Sequence, residues 1–321
     1  MNEWLARVRA RDDLFVSYGR ENLQWGPSFL VSPSNPFFRD NGRSNPYLEV
    51  PGMDFSRLVY IPGSAWTISL IVNTGKGLNL PLDPGPFEKI YAAKLDYTGA
   101  QNYASLIASR KGNDSTLGFF GGWTASDALL LYGEGSLRQG SSALYPRKDP
   151  ASPPGFSMQE DLADDSAVKP VLLAGGSYTL EGSGTISLEY LYNGPGYDAN
   201  EAGAYYSLRD HGAAALTAGG QAGLPGQLAL SQTVNPGLRF LRRNYVMLQY
   251  YQTNIRNKMD ATLRWTQNID DGSGQFLGLL SYSLGNHYEL FSSAVFSPAE
   301  TDSEFGSILK YQLMLGVKYT L

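Results

Sequence analysis

The sequence predicts an all-β fold: a transmembrane, antiparallel, up-and-down β-barrel of about 14–16 strands, a single domain over residues 1–321, with short periplasmic turns and long extracellular loops. Three observations carry that reading. Apolar and polar residues alternate with period 2 over many short segments, short and long connections segregate to opposite ends of those segments, and aromatic residues gather toward the ends of the apolar faces.

Composition agrees. The chain carries 36 Gly, 21 Tyr, 14 Phe and 5 Trp with only 17% charged residues, a β-rich profile with frequent turns. With no cysteine, disulfides, thiolate metal sites and a cysteine nucleophile are excluded. The two histidines, His211 and His287, are too few for most histidine-built metal sites. A net charge of −5 argues against a nucleic-acid surface. No apolar run is long enough for a transmembrane helix. Met1 leads directly into "NEWLARVRAR" with no secretory h-region, so any export signal is expected to have been trimmed away.

Taken in order, strands are expected near 13–20, 55–62, 65–74, 88–98, 102–110, 115–125, 128–138, 170–181, 184–193, 242–254, 258–268, 274–284, 287–297 and 308–321. Residues 3–10 are a further candidate, which makes the count odd. Bacterial single-chain barrels are normally even-stranded, so either that segment is not a barrel strand or a partner lies upstream. Every second connection is short: "PGSA", "TGAQ", "ASD", "EGSG", "IRNK" and "LGNH". The others, 21–54, 75–87, 139–169, 194–241 and 298–307, are mostly long, with "KGNDS" and "DDGSG" as exceptions. A soluble sandwich has no reason to sort its loops in this way.

The faces follow the same logic. Tyr91, Ala93, Leu95 and Tyr97 oppose Ala92, Lys94 and Asp96, and Ile186, Leu188, Tyr190 and Tyr192 oppose Ser187 and Glu189. Alternation alone equally suits a soluble barrel with its apolar face inward; loop sorting and aromatic strand ends weigh toward the membrane. On that phase the pore-lining charges are Arg7, Arg9, Arg57, Lys94, Asp96, Glu134, Arg138, Glu189, Asp260, Arg264, Lys310 and Lys318. Their basic excess favours anions inside an acidic chain, while mutual pairing would instead stiffen the lumen. The acidic surplus falls in loops such as "DLADD" at 161–165.

Two long loops, 21–54 and 194–241, are expected to cap or constrict the pore. The first is stiffened by Pro33, Pro36, Pro46 and Pro51. The second holds "NEAGAYYSLRDHGAAAL", where Asn200 can cap a short helix and Tyr205, Tyr206 and Arg209 could face a ligand. Arg20 and Trp25 are the matching ligand-contacting candidates of the first. Catalysis has thin support: neither His287, beside Asn286, nor His211, beside Asp210, sits in a recognisable nucleophile motif.

The stretch "YGRENLQWGPSFLVSPSNPFF" resembles capsule-type outer-membrane barrels of the Wzi-like assembly family through Gly19, Arg20, Trp25, Gly26, Pro27, Ser34, Asn35 and Pro36, about twenty residues in all. The ending "KYQLMLGVKYTL" resembles the terminal β-signal read by the barrel assembly machinery, carried by Tyr311, Leu313, Leu315, Val317, Tyr319 and Leu321. The resulting expectation is a porin-like outer-membrane channel for passive diffusion of small polar, anionic solutes. It would contact membrane lipid and lipopolysaccharide and need no cofactor, metal or enzymatic activity. The alternative is a surface anchor or export barrel for an acidic exopolysaccharide, and a more remote one is an outer-membrane lipid hydrolase.

Overall fold

The computed structural model describes residues 3–38, 42–43, 50–78, 87–140, 143–152, 155–160, 167–234, 236–285, 287–298 and 302–319. Pro46, the acidic run 161–165, Asn286 and Leu321 lie outside them. In chain order the strands are β1 (Trp4–Arg11), β2 (Leu14–Glu21), β3 (Met53–Gly63), β4 (Trp66–Gly75), β5 (Ile90–Thr98), β6 (Asn102–Lys111), β7 (Asp114–Thr124), β8 (Leu129–Gln139), β9 (Leu144–Lys148), β10 (Phe156–Glu160), β11 (Val168–Thr179), β12 (Gly184–Asn193), β13 (Asn244–Ile255), β14 (Met259–Asn268), β15 (Gly274–Leu284), β16 (Tyr288–Phe296) and β17 (Tyr311–Tyr319). The helices are α1 (Ala199–Ala218), α2 (Gly220–Val234) and α3 (Glu304–Ile308).

Fifteen strands follow one another in sheet order, β1 to β8 and then β11 to β17, whereas β9 and β10 pair only with each other. All fourteen expected strands form, and the candidate at 3–10 is β1, paired antiparallel to β2 from Trp4↔Arg20 onward. The visible count of the main sheet is therefore odd. No helix among the described residues is long and apolar enough to cross a membrane.

One compact unit comprises Met1–Gln139 with Val168–Tyr178. Its strands expose Val16, Tyr18, Leu70, Tyr91, Leu106 and Leu131 on one phase and bury Ser17, Ser69, Ser105, Glu134 and Ser136 on the other. That is the reverse of a soluble sheet, so the inverted soluble alternative fails: apolar residues alternate out of the packed side and polar ones into it. Phe55, Ile71, Ile90, Ala92 and Ile107 are buried apolar residues on the inward phase of β3–β6.

The second unit comprises Gly140–Ala167 with Thr179–Leu321. Here β12–β17 expose Leu188, Leu248, Leu263, Leu280, Leu290 and Leu313 and bury Ser187, Glu189, Gln249, Arg264 and Ser293. Its connections hold elements that period-2 reasoning misses. The span 139–169, expected as a plain loop, contains the β9–β10 hairpin, with Phe156 opposite Lys148. The span 194–241 holds two helices rather than one short one. Its N-cap is Asp198, not Asn200: the Asp198 side chain accepts from Glu201 N at 2.9 Å while the Glu201 carboxylate accepts from Asp198 N at 3.0 Å. That reciprocal box satisfies two N–H groups which the helix leaves open. The helices close on a core of Ala143, Tyr145, Met158, Tyr197, Ala202, Tyr205 and Leu208.

Candidate functional site

The site is built where the connection after β2 folds back onto the inward phase of its own unit. Pro27 and Pro33 restrict the backbone and Gly26 turns it with φ +88°, a left-handed conformation that costs glycine little. The segment then descends onto Glu134 of β8, which is 1% exposed. The Ser32 hydroxyl donates to Oε1 at 2.6 Å, the Ser34 hydroxyl at 2.7 Å and the Ser34 N–H at 3.3 Å. The Ser28 hydroxyl lies between Oε2 and the Val31 carbonyl.

A buried carboxylate is costly unless its lone pairs are filled. Here a serine-rich turn fills them. A side chain at position 26 would run into the Glu134 carboxylate, and one at Gly118 of β7 would come within 2.7 Å of the Ser34 carbonyl. Only backbone without a Cβ fits at either contact.

Apolar packing completes the docking. Phe37 and Phe38 are buried against Phe55, Ile71, Ala92 and Ile107, and Phe37 meets Phe55 edge-on with centroids 4.9 Å apart. Two fully buried phenylalanines contribute about 1.5–3 kcal/mol each. Asn35 locks the corner: its amide donates to the Leu23 carbonyl at 2.8 Å, and its oxygen accepts from Phe37 N at 3.0 Å.

Beside this anchor lies a cavity of about 340 Å³. Its loop wall is Trp25, Gly26, Pro27, Phe29 and Arg43, and its strand wall includes Tyr103, Phe120 and Tyr132. The Arg43 guanidinium donates to the Pro27 carbonyl at 2.6 Å and sits 5.8 Å from the Phe29 ring centre. Lys94 stands over two rings at once, 5.4 Å from Trp25 and 5.3 Å from Phe120, while ion-paired to Asp96. The indole N–H of Trp25 is buried with no hydrogen-bond partner among the described residues.

The remaining sequence candidates fall in three groups. Several inward-phase charges are paired: Arg57 with Glu21 at 2.8 Å, Arg138 with Asp114 at 2.5 Å, and Arg264 Nε with Gln249 Oε1 at 2.8 Å. Glu189 is fully buried opposite Met247. Arg7 and Arg9 share a phase with their partners Ser17 and Phe15, and Arg9 bonds Asp12 at 2.6 Å. Lys318 stands opposite Glu289, whereas Lys310 falls just before β17 rather than in it.

Arg20 is a correction. It lies in β2, as the strand expected near 13–20 implies, but on the outward phase of Val16 and Tyr18, where it meets Asp54 at 2.8 Å, rather than among the inward-folded residues of the connection. In the second unit Tyr205 and Tyr206 are buried rather than presented, with the Tyr205 ring tilted against Tyr197 and edge-on to Tyr206. Arg209 lies 5.4 Å from the Tyr206 ring centre, and burial raises the Tyr206 hydroxyl well above its ordinary pKa. Tyr311, Leu313, Leu315, Val317 and Tyr319 are all exposed on one face of β17. His211 is exposed on α1, and His287 lies at a turn near the Tyr319 ring.

Sequence reasoning missed the hub itself, treating Glu134 as one lumenal charge among twelve. A signal was present. Near-continuous apolar runs such as "TISLIV" and "ASLIAS" place Ile71 and Ile107 on a phase that should be polar, marking where something apolar docks.

Antiparallel strands in sequence order, apolar on the outward phase and polar on the inward one, with a connection pinned to the inner face, are the pattern of the outer-membrane β-barrel fold. Solved structures show the same fold. Acinetobacter baumannii OccAB1 matches with TM-score 0.57 at 14% identity over 96% of this chain and 73% of that one. The outer-membrane protein OprD of Pseudomonas aeruginosa matches with TM-score 0.52 at 7% identity over 95% and 74%. Wzi of Escherichia coli, described as a carbohydrate-binding β-barrel involved in group 1 capsule assembly, matches with TM-score 0.51 at 9% identity over 98% and 68%. No family model and no curated protein matches the sequence.

Proposed function

We propose that the chain forms a passive outer-membrane channel for small polar solutes with a preference for anions, in which the 22–38 segment sets the size limit. The observation that supports this most directly is the Glu134 anchor, which holds an inward-folded segment against the inner face through three serines. A segment meant only to shield a rim has no need of a buried carboxylate on the strand wall. In this reading the long connections face outward, Lys94, Arg57, Arg138 and Arg264 line the path, and the exposed face of β17 is the segment read during barrel assembly.

The test is conductance in planar bilayers. Purified protein should open ohmic channels, and Glu134→Ala should raise unitary conductance and admit larger sugars in liposome swelling. Silence from both proteins would sink the channel reading.

The cavity supports a second reading, a surface anchor or export barrel for an acidic polysaccharide. Aromatic faces at Trp25, Phe29 and Tyr132 suit sugar rings, the unpartnered indole N–H is a ready donor, and Arg43 suits a carboxylate. A non-conducting barrel that retains acidic polysaccharide, and loses it on Trp25→Ala, would favour this reading over the channel.

A further inference from the structure

The outward phase of the first unit is not evenly filled. Register aligns one row across five strands: Leu70 with Ala93, Ala93 with Ala108, Ala108 with Leu117, and Leu117 with Leu137. Two methyl side chains thus stand side by side between leucines. The row on the short-turn side is bulky from β4 to β7, with Ile68 opposite Leu95, Leu95 opposite Leu106 and Leu106 opposite Phe119, and reaches Gly135 only on β8. The result is a groove of about 770 Å³, within the range of about 300–1,000 Å³ typical of ligand sites. Inward-phase Ile71 and Ala92 also border it, so its floor is the sheet backbone between the outward side chains.

The groove opens toward the long connections, and its next row in that direction is polar. Tyr91 pairs with Arg110, and Arg110 with Ser115. Arg110 occupies the outward phase of a membrane strand. Its Nε donates to the Gly112 carbonyl at 3.0 Å, and no acidic partner for it occurs among the described residues. Lys89 and Lys111 are exposed at the same end, with Glu88 near Lys111 at 3.8 Å as the nearby acid. An exposed arginine at the end of a lipid-facing strand reaches for the headgroup level. An apolar slot that ends in a cation has the profile of an acylated anion.

We infer that the Ala93–Ala108 groove holds one acyl chain of a phosphate-bearing lipid of the outer leaflet, lipopolysaccharide, with Arg110 on its phosphate. The occupant is a lipid because the groove is continuous with the lipid-facing surface and lined by exposed Leu70, Leu117, Leu137 and Val168. It is an anionic one because the rim is basic. Choice of leaflet rests on the long connections facing outward, as proposed above, and the conductance test is independent of it.

Native mass spectrometry of the detergent-purified barrel, titrated with lipopolysaccharide, with its dephosphorylated form and with phosphatidylglycerol, tests this. Wild type should retain one lipopolysaccharide. Ala108→Leu fills the slot and should weaken retention about tenfold. Arg110→Gln should weaken lipopolysaccharide to the level of its dephosphorylated form while leaving that form unchanged. Ala294→Leu, at an exposed position of β16 outside the groove, is the control and should bind as wild type. Each variant is checked for folding by heat-modifiable gel migration. Equal retention by Ala108→Leu and Ala294→Leu, or a dephosphorylated lipid held as tightly as the intact one, overturns the inference. Equal affinity for phosphatidylglycerol overturns the assignment to lipopolysaccharide.

Discussion

Gly26 and Glu134 show how far one residue pair can govern a loop. At position 26 an alanine meets two penalties together, since φ +88° is unfavourable for an L side chain and the new methyl points into the Glu134 carboxylate. Strain of this kind costs about 1–3 kcal/mol. Gly26→Ala should therefore loosen residues 28–38, seen as faster hydrogen exchange there and protection unchanged in β13–β17. Uniform exchange rates across the chain would refute the anchor. Ser32→Ala, which removes one of the donors, should have a smaller effect of the same sign. Trp25, Gly26, Pro27, Ser34 and Asn35 stand out in the sequence because glycine, proline and tryptophan cluster there. The acceptor of the Ser28, Ser32 and Ser34 hydroxyls does not, because it lies 100 or more positions away and looks like any other glutamate on a strand.

Among the elements, the strands were legible and the loop structures were not, for a physical reason. A strand between lipid and a polar interior must alternate, so its pattern is written locally. The helices and the β9–β10 hairpin are held by contacts remote in sequence, such as the Tyr197 hydroxyl on the Leu144 carbonyl. The α1 cap is nevertheless local, and Asp198→Ala should destabilise that helix by about 1 kcal/mol, read as reduced amide protection over 201–204.

The short helix α3 carries a sharper consequence. Glu304 is buried, and burial raises its carboxyl to about 7 despite hydrogen bonds from the Tyr245 hydroxyl, Leu241 N and Asn268 Nδ2 that favour the ion. Between its ordinary value near 4.5 and about 7 the folded state holds a proton that the unfolded state has released. Stability from this group is thus complete below the unfolded value and is lost as pH rises through the folded one, about 3 kcal/mol in all. Thermal unfolding of the second unit should be higher at pH 5 than at pH 8, and Glu304→Gln should flatten that difference. A pH-independent wild type would contradict the assignment.

At the scale of the whole molecule, the question is what the interior presents to a solute. Counting residues by phase gives a basic excess, the basis for expecting anion preference. The structure sets carboxylates against several of these cations: Glu21 at Arg57, Asp96 at Lys94 and Asp114 at Arg138. A paired charge projects a weaker field than a lone one, and exposed members of such pairs are screened further by salt. The proposed channel should accordingly be only mildly anion-selective. Removing the acids while keeping the bases then makes a directional prediction. Glu21→Gln, Asp96→Asn and Asp114→Asn together leave three arginine or lysine groups without ionic partners on the inner face. The reversal potential in a potassium chloride gradient should move toward the chloride limit, with the chloride-to-potassium permeability ratio rising severalfold at low salt and less at 1 M, where the screening length falls to about 3 Å. The triple variant should still migrate as a heat-modifiable barrel, because the pairs line the inner face and the lipid-facing rows are untouched. An unchanged ratio in a folded, conducting variant would mean that these three pairs do not border the solute path, and would move the selectivity-setting charges to Arg7, Arg9 and Lys318.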